Sequence, residues 1–220
     1  MKLFQISIVF FAIIASGLFM VAQYQSYAES GGVLDHQGED LMSEKPENYP
    51  IATFGGGCFW CLESEFRALH GVLYTRVGYM GGEMQSPSYN DITTGETGHA
   101  EVIEVTFDPA KVTYKNLIEF FLTKAHDPTQ INRQGVDKGT QYRSEIFFHG
   151  DEQQRIAKEV MDDVTMRKIW DKPLATKLNP ATEFWMGEDY HQQYYEKYEK
   201  ENGQIHPRVW FKKKMKNIKQ

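Results

Sequence analysis

Gly55-Gly56-Gly57-Cys58-Phe59-Trp60-Cys61-Leu62-Glu63 decides the fold and holds both cysteines of the chain. The apolar run Ile51 to Phe54 before it reads as a short strand, and the three glycines read as a sharp turn leaving that strand. Beyond the turn, Phe59, Leu62, Phe66 and Leu69 recur at helical spacing, which sets Cys58 at a helix N-terminus. Unpaired amides and the positive end of the helix dipole favour a thiolate at that point. Cys61 lies one turn further on, within conceivable reach of a disulfide.

The chain has 220 residues and 41% hydrophobic content, enough for one sizeable domain plus a leader. A formal charge of −6 and a pI near 5.7 give no electrostatic reason to expect a nucleic-acid partner. The cationic end, Lys212-Lys213-Lys214 with Lys216 and Lys219, reads as a solvated C-terminus.

Met1 to Tyr27 differs in kind. Lys2 is its only charged side chain, and Leu3 to Ala22 is mostly apolar. Ser26-Tyr27-Ala28 resembles a small-x-small cleavage site, so residues 1–28 read as a signal peptide. The apolar run is also about long enough to span a bilayer, which leaves an uncleaved anchor open and is the single route to a membrane. Lys2 before the run and Glu29, Asp35, Glu39 and Asp40 after it put the bulk of the chain outside the cytoplasm, periplasmic or secreted.

Export makes a structural disulfide the plain reading of two cysteines. A bridge between residues three apart closes a tiny loop, however, and stabilises little. Redox chemistry is the better use of that spacing. The chain has no second cysteine pair and no Cys/His cluster of zinc spacing, so no metal is expected.

Residues 29–48 are polar, with Gly31-Gly32 and scattered acids, and read as a flexible linker; the folded domain is expected over 49–220. Val72 to Tyr79 reads as a strand, Gly81 to Gly98 as a long polar loop, and Glu101 to Phe107 as a half-buried strand. Thr113 should cap a helix with Leu117, Ile118, Phe121 and Leu122 on one face. A second polar loop, Asp127 to Thr140, leads to a strand from Gln141 to Phe148. Asp151 should cap the next helix, with Ile156, Val160 and Val164 inward. Leu174 to Leu178 reads as a short strand and Gly187 to Tyr198 as helical. This order suggests an α+β two-layer sandwich on a mixed sheet, followed by a long irregular C-terminal region.

Gly57-Cys58-Phe59-Trp60 with Leu62-Glu63 resembles the active-site motif of the A-type peptide methionine-S-sulfoxide reductases. Tyr89-Asn90-Asp91 with Thr97-Gly98-His99-Ala100-Glu101 is similar to a second motif of that family. Gly135-Val136-Asp137-Lys138-Gly139-Thr140-Gln141-Tyr142-Arg143-Ser144 is similar to a third. Glu188-Asp189-Tyr190-His191-Gln192-Gln193-Tyr194 is similar to the C-terminal one. Together the four motifs cover roughly Pro50 to Tyr198.

The resemblance implies reduction of methionine-S-sulfoxide, free or in proteins, as a repair of oxidised protein. In it Cys58 is the nucleophile, Glu101 the acid, and Tyr89 and Tyr142 hydrogen-bond the sulfoxide oxygen. Phe59 and Trp60 wall the S-methyl pocket, while Asp137, His191 and Tyr194 line the site. On strand alternation alone Glu101 would be a solvent-facing residue, and nothing singles out Glu104, which reads as a solvated or ion-paired surface acid. Attack by Cys58 leaves a sulfenic acid. Many relatives resolve it with cysteines near the C-terminus, but no cysteine follows Cys61 here. Cys61, at a position that is glycine in many relatives, is therefore implied to resolve it as a Cys58–Cys61 disulfide, with a thioredoxin-like donor closing the cycle. No cofactor is implied, and a monomer is expected. The alternative activity is general thiol–disulfide exchange, for which Glu101 and the two tyrosines have no purpose. A non-enzymatic module gripping methionine through Phe59 and Trp60 is a further alternative.

Overall fold

The structure is a computed structural model, and it describes residues 45–208. The leader, nearly all of the linker and the lysine-rich end therefore lie outside the described residues. Strand β1 is Ile51–Gly55, followed by helix α1 at Phe59–Arg67 and strand β2 at Val72–Met80. Short helix α2, Tyr89–Thr93, precedes strand β3, Ala100–Phe107. Helix α3, Tyr114–Phe120, runs on into a π-helical turn at Phe121–Ala125. The two-residue strands β4, Arg133–Gln134, and β5, Asp137–Lys138, form a small hairpin. Strand β6, Glu145–Phe148, leads to helix α4, Asp151–Met166. Strands β7, Lys177–Pro180, and β8, Trp185–Met186, then precede helix α5, Tyr194–Asn202.

Six strands form one sheet in the order β7-β6-β1-β3-β2-β8. The β6–β7 pair is parallel and the other pairs are antiparallel, so the sheet is mixed, as the element order suggested. Ala52 pairs with Val105 and Phe54 with Ile103, which puts these four apolar side chains on one face. Against that face pack Leu62 and Phe66 of α1, Leu117 and Ile118 of α3, and Ala157, Val160 and Val164 of α4. Phe54 is the hub, stacked on Phe66 at 5.1 Å and on Phe121 at 4.9 Å. Burying each such side chain stabilises the fold by roughly 1.5–3 kcal/mol before entropy is counted.

Several expectations need correction. Strand β3 is buried along its whole length, not half-buried. Its second face, through Val102, packs with Met80, Ala100 and Phe147 under Ala181 and Phe184, so no solvent-facing row remains. Glu104 on that face is ion-paired, but it is 3% exposed rather than solvated: Arg76 grips it with two N–H groups, and Lys45 adds a third. The Gly81–Gly98 loop contains α2, closed by a Ser88–Asp91 capping box. Gln141 and Tyr142 lie in a 3₁₀ turn, Thr140–Tyr142, and the strand starts at Glu145, because Gly139 at φ 142° turns the chain first. Gly150, not Asp151, is the N-cap of α4, with Asp151 in the first turn where its charge suits the dipole. Ala157 rather than Ile156 is the fully buried residue of that turn, Ile156 being partly buried. The strand expected at 174–178 starts at Lys177, and the segment 187–198 is a 3₁₀ turn at Asp189–His191 before α5 rather than one helix.

Candidate active site

Strand β1 delivers the chain to the glycine turn, and two of the glycines are obligatory. Gly57 sits at φ +90°, and a Cβ there would lie 2.6 Å from Gln134. Gly56 lets Phe121 and His126 approach to 2.9 and 3.0 Å of where a Cβ would be. Cys58 is then the N-cap residue of α1, with no side-chain hydrogen bond to the helix amides. Both cysteines are thiols in this structure.

The Cys58 thiol is hydrogen-bonded to Cys61, and that bond, then burial, then the charges of Cys61 and Glu101 push its pKa up, with Arg208 opposing them. These local effects outweigh the pull of the helix terminus toward a thiolate, contrary to the expectation from sequence. Resting Cys58 holds its proton more firmly than an ordinary cysteine.

Glu101 lies on β3 opposite Tyr79 and on the helix-facing side of the sheet. Its Oε2 accepts the Phe59 amide at 3.0 Å, so one of the orphan donors at the start of α1 is satisfied by this carboxyl. Glu101 is 2% exposed, and burial raises its pKa to about 8, despite the opposing Phe59 bond; nearby Asp137 and Cys61 push the same way. A protonated carboxyl at neutral pH beside two thiols is a proton donor.

Tyr89, from the start of α2, and Tyr142, from the 3₁₀ turn, are half-buried phenols. Burial first, then the neighbouring charge of Glu101 and that of Cys58, raises both pKa values, so both keep their hydrogens at neutral pH. Asp137 on β5 lies in the same electrostatic group and pairs with Arg208.

The apolar wall follows from α1. Phe59 is buried with Val77, Tyr79 and Ile92, with Trp60 and Tyr89 packed against them. Trp60 donates from Nε1 to His191 Nδ1 at 3.0 Å and stacks on Tyr194 at 3.8 Å and 8°. His191 also faces the rings of Phe59 at 5.0 Å and Tyr89 at 4.5 Å. All ten residues singled out in the sequence therefore lie in one site. Among the described residues no group of three or more His, Cys, Asp or Glu converges as metal ligands would.

Five others had no role assigned from the sequence. Glu188 accepts the Tyr79 hydroxyl at 2.7 Å and the Tyr89 amide at 2.8 Å, clamping β2 to α2. Tyr195 reaches Cys61 Sγ at 3.4 Å. Glu63, on α1, is 1% exposed and accepts the Thr75 hydroxyl and the Gln193 amide. Arg208 brings a cation near both thiols. The Tyr79 phenol, opposite Glu101, is the fifth. Glu63 and Glu188 had a usable signal, since both fall inside the motif stretches, and Glu63 is in addition a charged residue inside the apolar spacing of α1.

Comparison with known proteins places the arrangement. The family model for peptide methionine sulfoxide reductases matches residues 50–220. The peptide methionine sulfoxide reductase MsrA of Methanothermobacter thermautotrophicus is 52% identical over 149 residues, 68% of this chain and 88% of that protein. Its counterpart in Acidobacterium capsulatum is 51% identical over 146 residues, 66% of this chain and 93% of that protein. The crystal structure of reduced Mxr1 from Saccharomyces cerevisiae superposes with a TM-score of 0.66 at 34% identity, over 74% of this chain and 90% of that one. Methionine sulfoxide reductase A of Corynebacterium diphtheriae gives 0.60 at 37% identity, over 69% and 76%. With the motifs, the mixed sheet and the relatives in agreement, the chain belongs to the peptide methionine sulfoxide reductase family.

Proposed function

We propose that the chain reduces the S epimer of methionine sulfoxide through Cys58, with Cys61 as the resolving thiol and Glu101 as the proton donor. The sulfoxide methyl group lies against Phe59 and Trp60, and the Tyr89 and Tyr142 hydroxyls donate to the sulfoxide oxygen. Asp137, His191 and Tyr194 complete the walls. Protonation of the oxygen by Glu101 makes the sulfur electrophilic, and the Cys58 proton leaves as its sulfur attacks. An S–S bond between Cys58 and the substrate sulfur forms as the S–O bond breaks, and the oxygen leaves as water with the two protons. Water then attacks the Cys58 sulfur, the S–S bond breaks, methionine departs, and Cys58 is left as a sulfenic acid with a proton returned to Glu101. Cys61 then attacks the Cys58 sulfur, giving a disulfide and water. A thioredoxin-like dithiol takes the disulfide to two thiols and is itself oxidised.

The observation that carries this reading is the buried Glu101 carboxyl, held by the Phe59 amide one residue past Cys58 with its pKa raised to about 8. Disulfide exchange needs no such acid, which disfavours the general oxidoreductase alternative. The test uses epimer-resolved methionine sulfoxide with dithiothreitol: the S epimer is consumed and the R epimer is not. Consumption of both at similar rates, or of neither, contradicts the proposal.

The supporting observation for place of action is the leader: Lys2 before an apolar run, acids after it and Ser26-Tyr27-Ala28 at its end. On this reading the enzyme works as a monomer outside the cytoplasm, repairing oxidised proteins, and its reductant is an extracytoplasmic thiol system. The mass of the protein from its native host distinguishes a mature start at Glu29 from a retained anchor.

A further inference from the structure

Tyr195 is placed with unusual care for a residue outside the motifs. Its ring is 4% exposed and packs against the edge of Trp60 at 6.5 Å, Tyr194 at 5.6 Å and His206 at 4.8 Å. Its hydroxyl meets Cys61 Sγ at 3.4 Å. Burial first, then the charge of Cys61 and this hydrogen bond, raises the phenol's pKa, so it remains a neutral donor.

What holds it there lies on the same helix as the cysteines. Gln193 adopts a left-handed conformation, φ 50° and ψ 43°, immediately before α5. That is a costly geometry for a residue with a side chain. Its amide donates to Glu63 Oε2 at 2.7 Å, and Glu63 Oε1 accepts the Thr75 hydroxyl at 2.9 Å. Arg67 donates to the Thr75 hydroxyl oxygen at 3.3 Å and pairs with Glu196 of α5 at 3.0 Å. A buried carboxyl on α1 thus grips the backbone one residue before Tyr194 and two before Tyr195. Nothing in the reduction of the sulfoxide itself uses this pair.

We propose that Tyr195 is a further catalytic residue, acting in resolution by donating its hydrogen bond to the Cys61 sulfur, and that Glu63 is the positioning residue that fixes it there. The inference rests on the assignment of Cys61 as the resolving thiol. In that step Cys61 loses its proton, its sulfur attacks the Cys58 sulfur, the Cys58 S–O bond breaks, and the oxygen leaves as water with the proton. A phenol hydrogen bond stabilises Cys61 as it becomes anionic and holds its sulfur on one side of the first turn. Misplacement of the reacting sulfur by about 1 Å is enough to slow such a step by up to roughly 10²-fold.

Glu63 also gives the step a pH signature. Burial raises its pKa to about 7, with Glu196 adding to the rise and Thr75, Arg67 and the Gln193 amide opposing it. Both of its bonds are accepted most strongly by the carboxylate, so the grip on Gln193 tightens as pH rises through about 7. Glu63→Gln keeps an acceptor and the shape but removes the titration.

The experiment mixes reduced enzyme with one equivalent of methionine-S-sulfoxide and no reductant. It follows methionine release and, separately, loss of the second thiol, in the parent, Tyr195→Phe, Glu63→Gln, Glu63→Asp and Cys61→Ser. Tyr195→Phe is expected to release methionine at the parent rate but to form the disulfide about tenfold more slowly or worse. Glu63→Gln is expected to flatten the pH dependence of disulfide formation around pH 7, and Glu63→Asp to restore part of it. Parent-like disulfide formation in Tyr195→Phe with an unchanged profile in Glu63→Gln overturns this inference alone. Absence of any Cys58–Cys61 disulfide in the parent overturns the resolving role on which it rests. Should Glu63→Gln fail to fold, Tyr195→Phe, which removes one oxygen, still decides the matter.

Discussion

The Trp60 indole donates to His191 Nδ1 at 3.0 Å, which fixes His191 as the tautomer with its hydrogen on Nε2. That nitrogen is buried without a hydrogen-bond partner, and the nearest carboxylate oxygen, Oε2 of Glu188, is 3.7 Å away. Burial lowers the His191 pKa below its usual value, with Glu188 opposing. The imidazole is therefore neutral at pH 7 and serves as the acceptor that sets the plane of the Trp60 ring.

Loss of this acceptor should loosen the methyl pocket without touching the reacting groups. His191→Phe keeps the ring contacts but orphans a half-buried indole N–H, so KM for methionine sulfoxide should rise several-fold, with kcat changed less. Steady-state kinetics at pH 7 checks this. An equal fall in kcat with constant KM would instead give His191 a part in the chemistry.

Glu101→Gln should slow methionine release by roughly 10²-fold or more, as for loss of a general acid. In the parent, the rate of that step should fall as pH rises through about 8, since the acid loses its proton there. The stability effect has a definite sign. The folded state holds this proton more tightly than the unfolded chain, so the stabilisation is present below about 4.5 and lost as pH rises toward about 8. Glu101→Gln should accordingly gain in Tm relative to the parent at pH 8.5 compared with pH 5. A constant difference in Tm across that range contradicts the burial of an ionisable carboxyl at this position.

Gly57→Ala combines a left-handed backbone with a Cβ 2.6 Å from Gln134, whereas Gly135→Ala at φ +61° meets nothing within 4 Å. Conformation alone costs about 1–2 kcal/mol at either position. Gly57→Ala should exceed that value and lower kcat by moving Cys58; Gly135→Ala should stay within it. Chemical denaturation of both variants gives the comparison.

A chain beginning at Glu47 should fold and retain full activity against free methionine sulfoxide. The first strand starts at Ile51, and Glu104 keeps its two-pronged bond to Arg76 once Lys45 is removed. Circular dichroism and activity of that shortened chain test the domain boundary; an unfolded product contradicts it.

Most of the sheet and helices α1, α3 and α4 were legible because their apolar periodicities are local: Phe59, Leu62 and Phe66 name their own helix, whereas the two-residue edge strand β8 is too short to show one. The ten candidate residues were named through motif resemblance, which no periodicity supplies. Burial of Glu104 and the second face of β3 was hidden, since the covering residues, Ala181 and Phe184, lie about 80 positions away in an irregular segment. The raised pKa of Cys58 was missed for a related reason. Its helix terminus is visible in sequence, and the hydrogen bond to Cys61 lies one turn away on the same helix, but burial and the nearby Glu101 charge exist only once β3 meets α1. Tyr195 and Glu63 depend on one backbone amide 130 residues along the chain, which no spacing rule reaches.

The central claim is that Cys58 attacks the sulfoxide sulfur and Cys61 resolves the sulfenic acid that results. It is tested most directly by a single turnover of the reduced enzyme with excess methionine-S-sulfoxide and no reductant, read by methionine quantitation and peptide mass. The parent should release about one methionine per chain and yield a Cys58–Cys61 bridged peptide, Cys61→Ser one methionine and an oxidised Cys58, and Cys58→Ser none. Methionine released by Cys58→Ser, or a parent burst that leaves both thiols intact, would contradict the account.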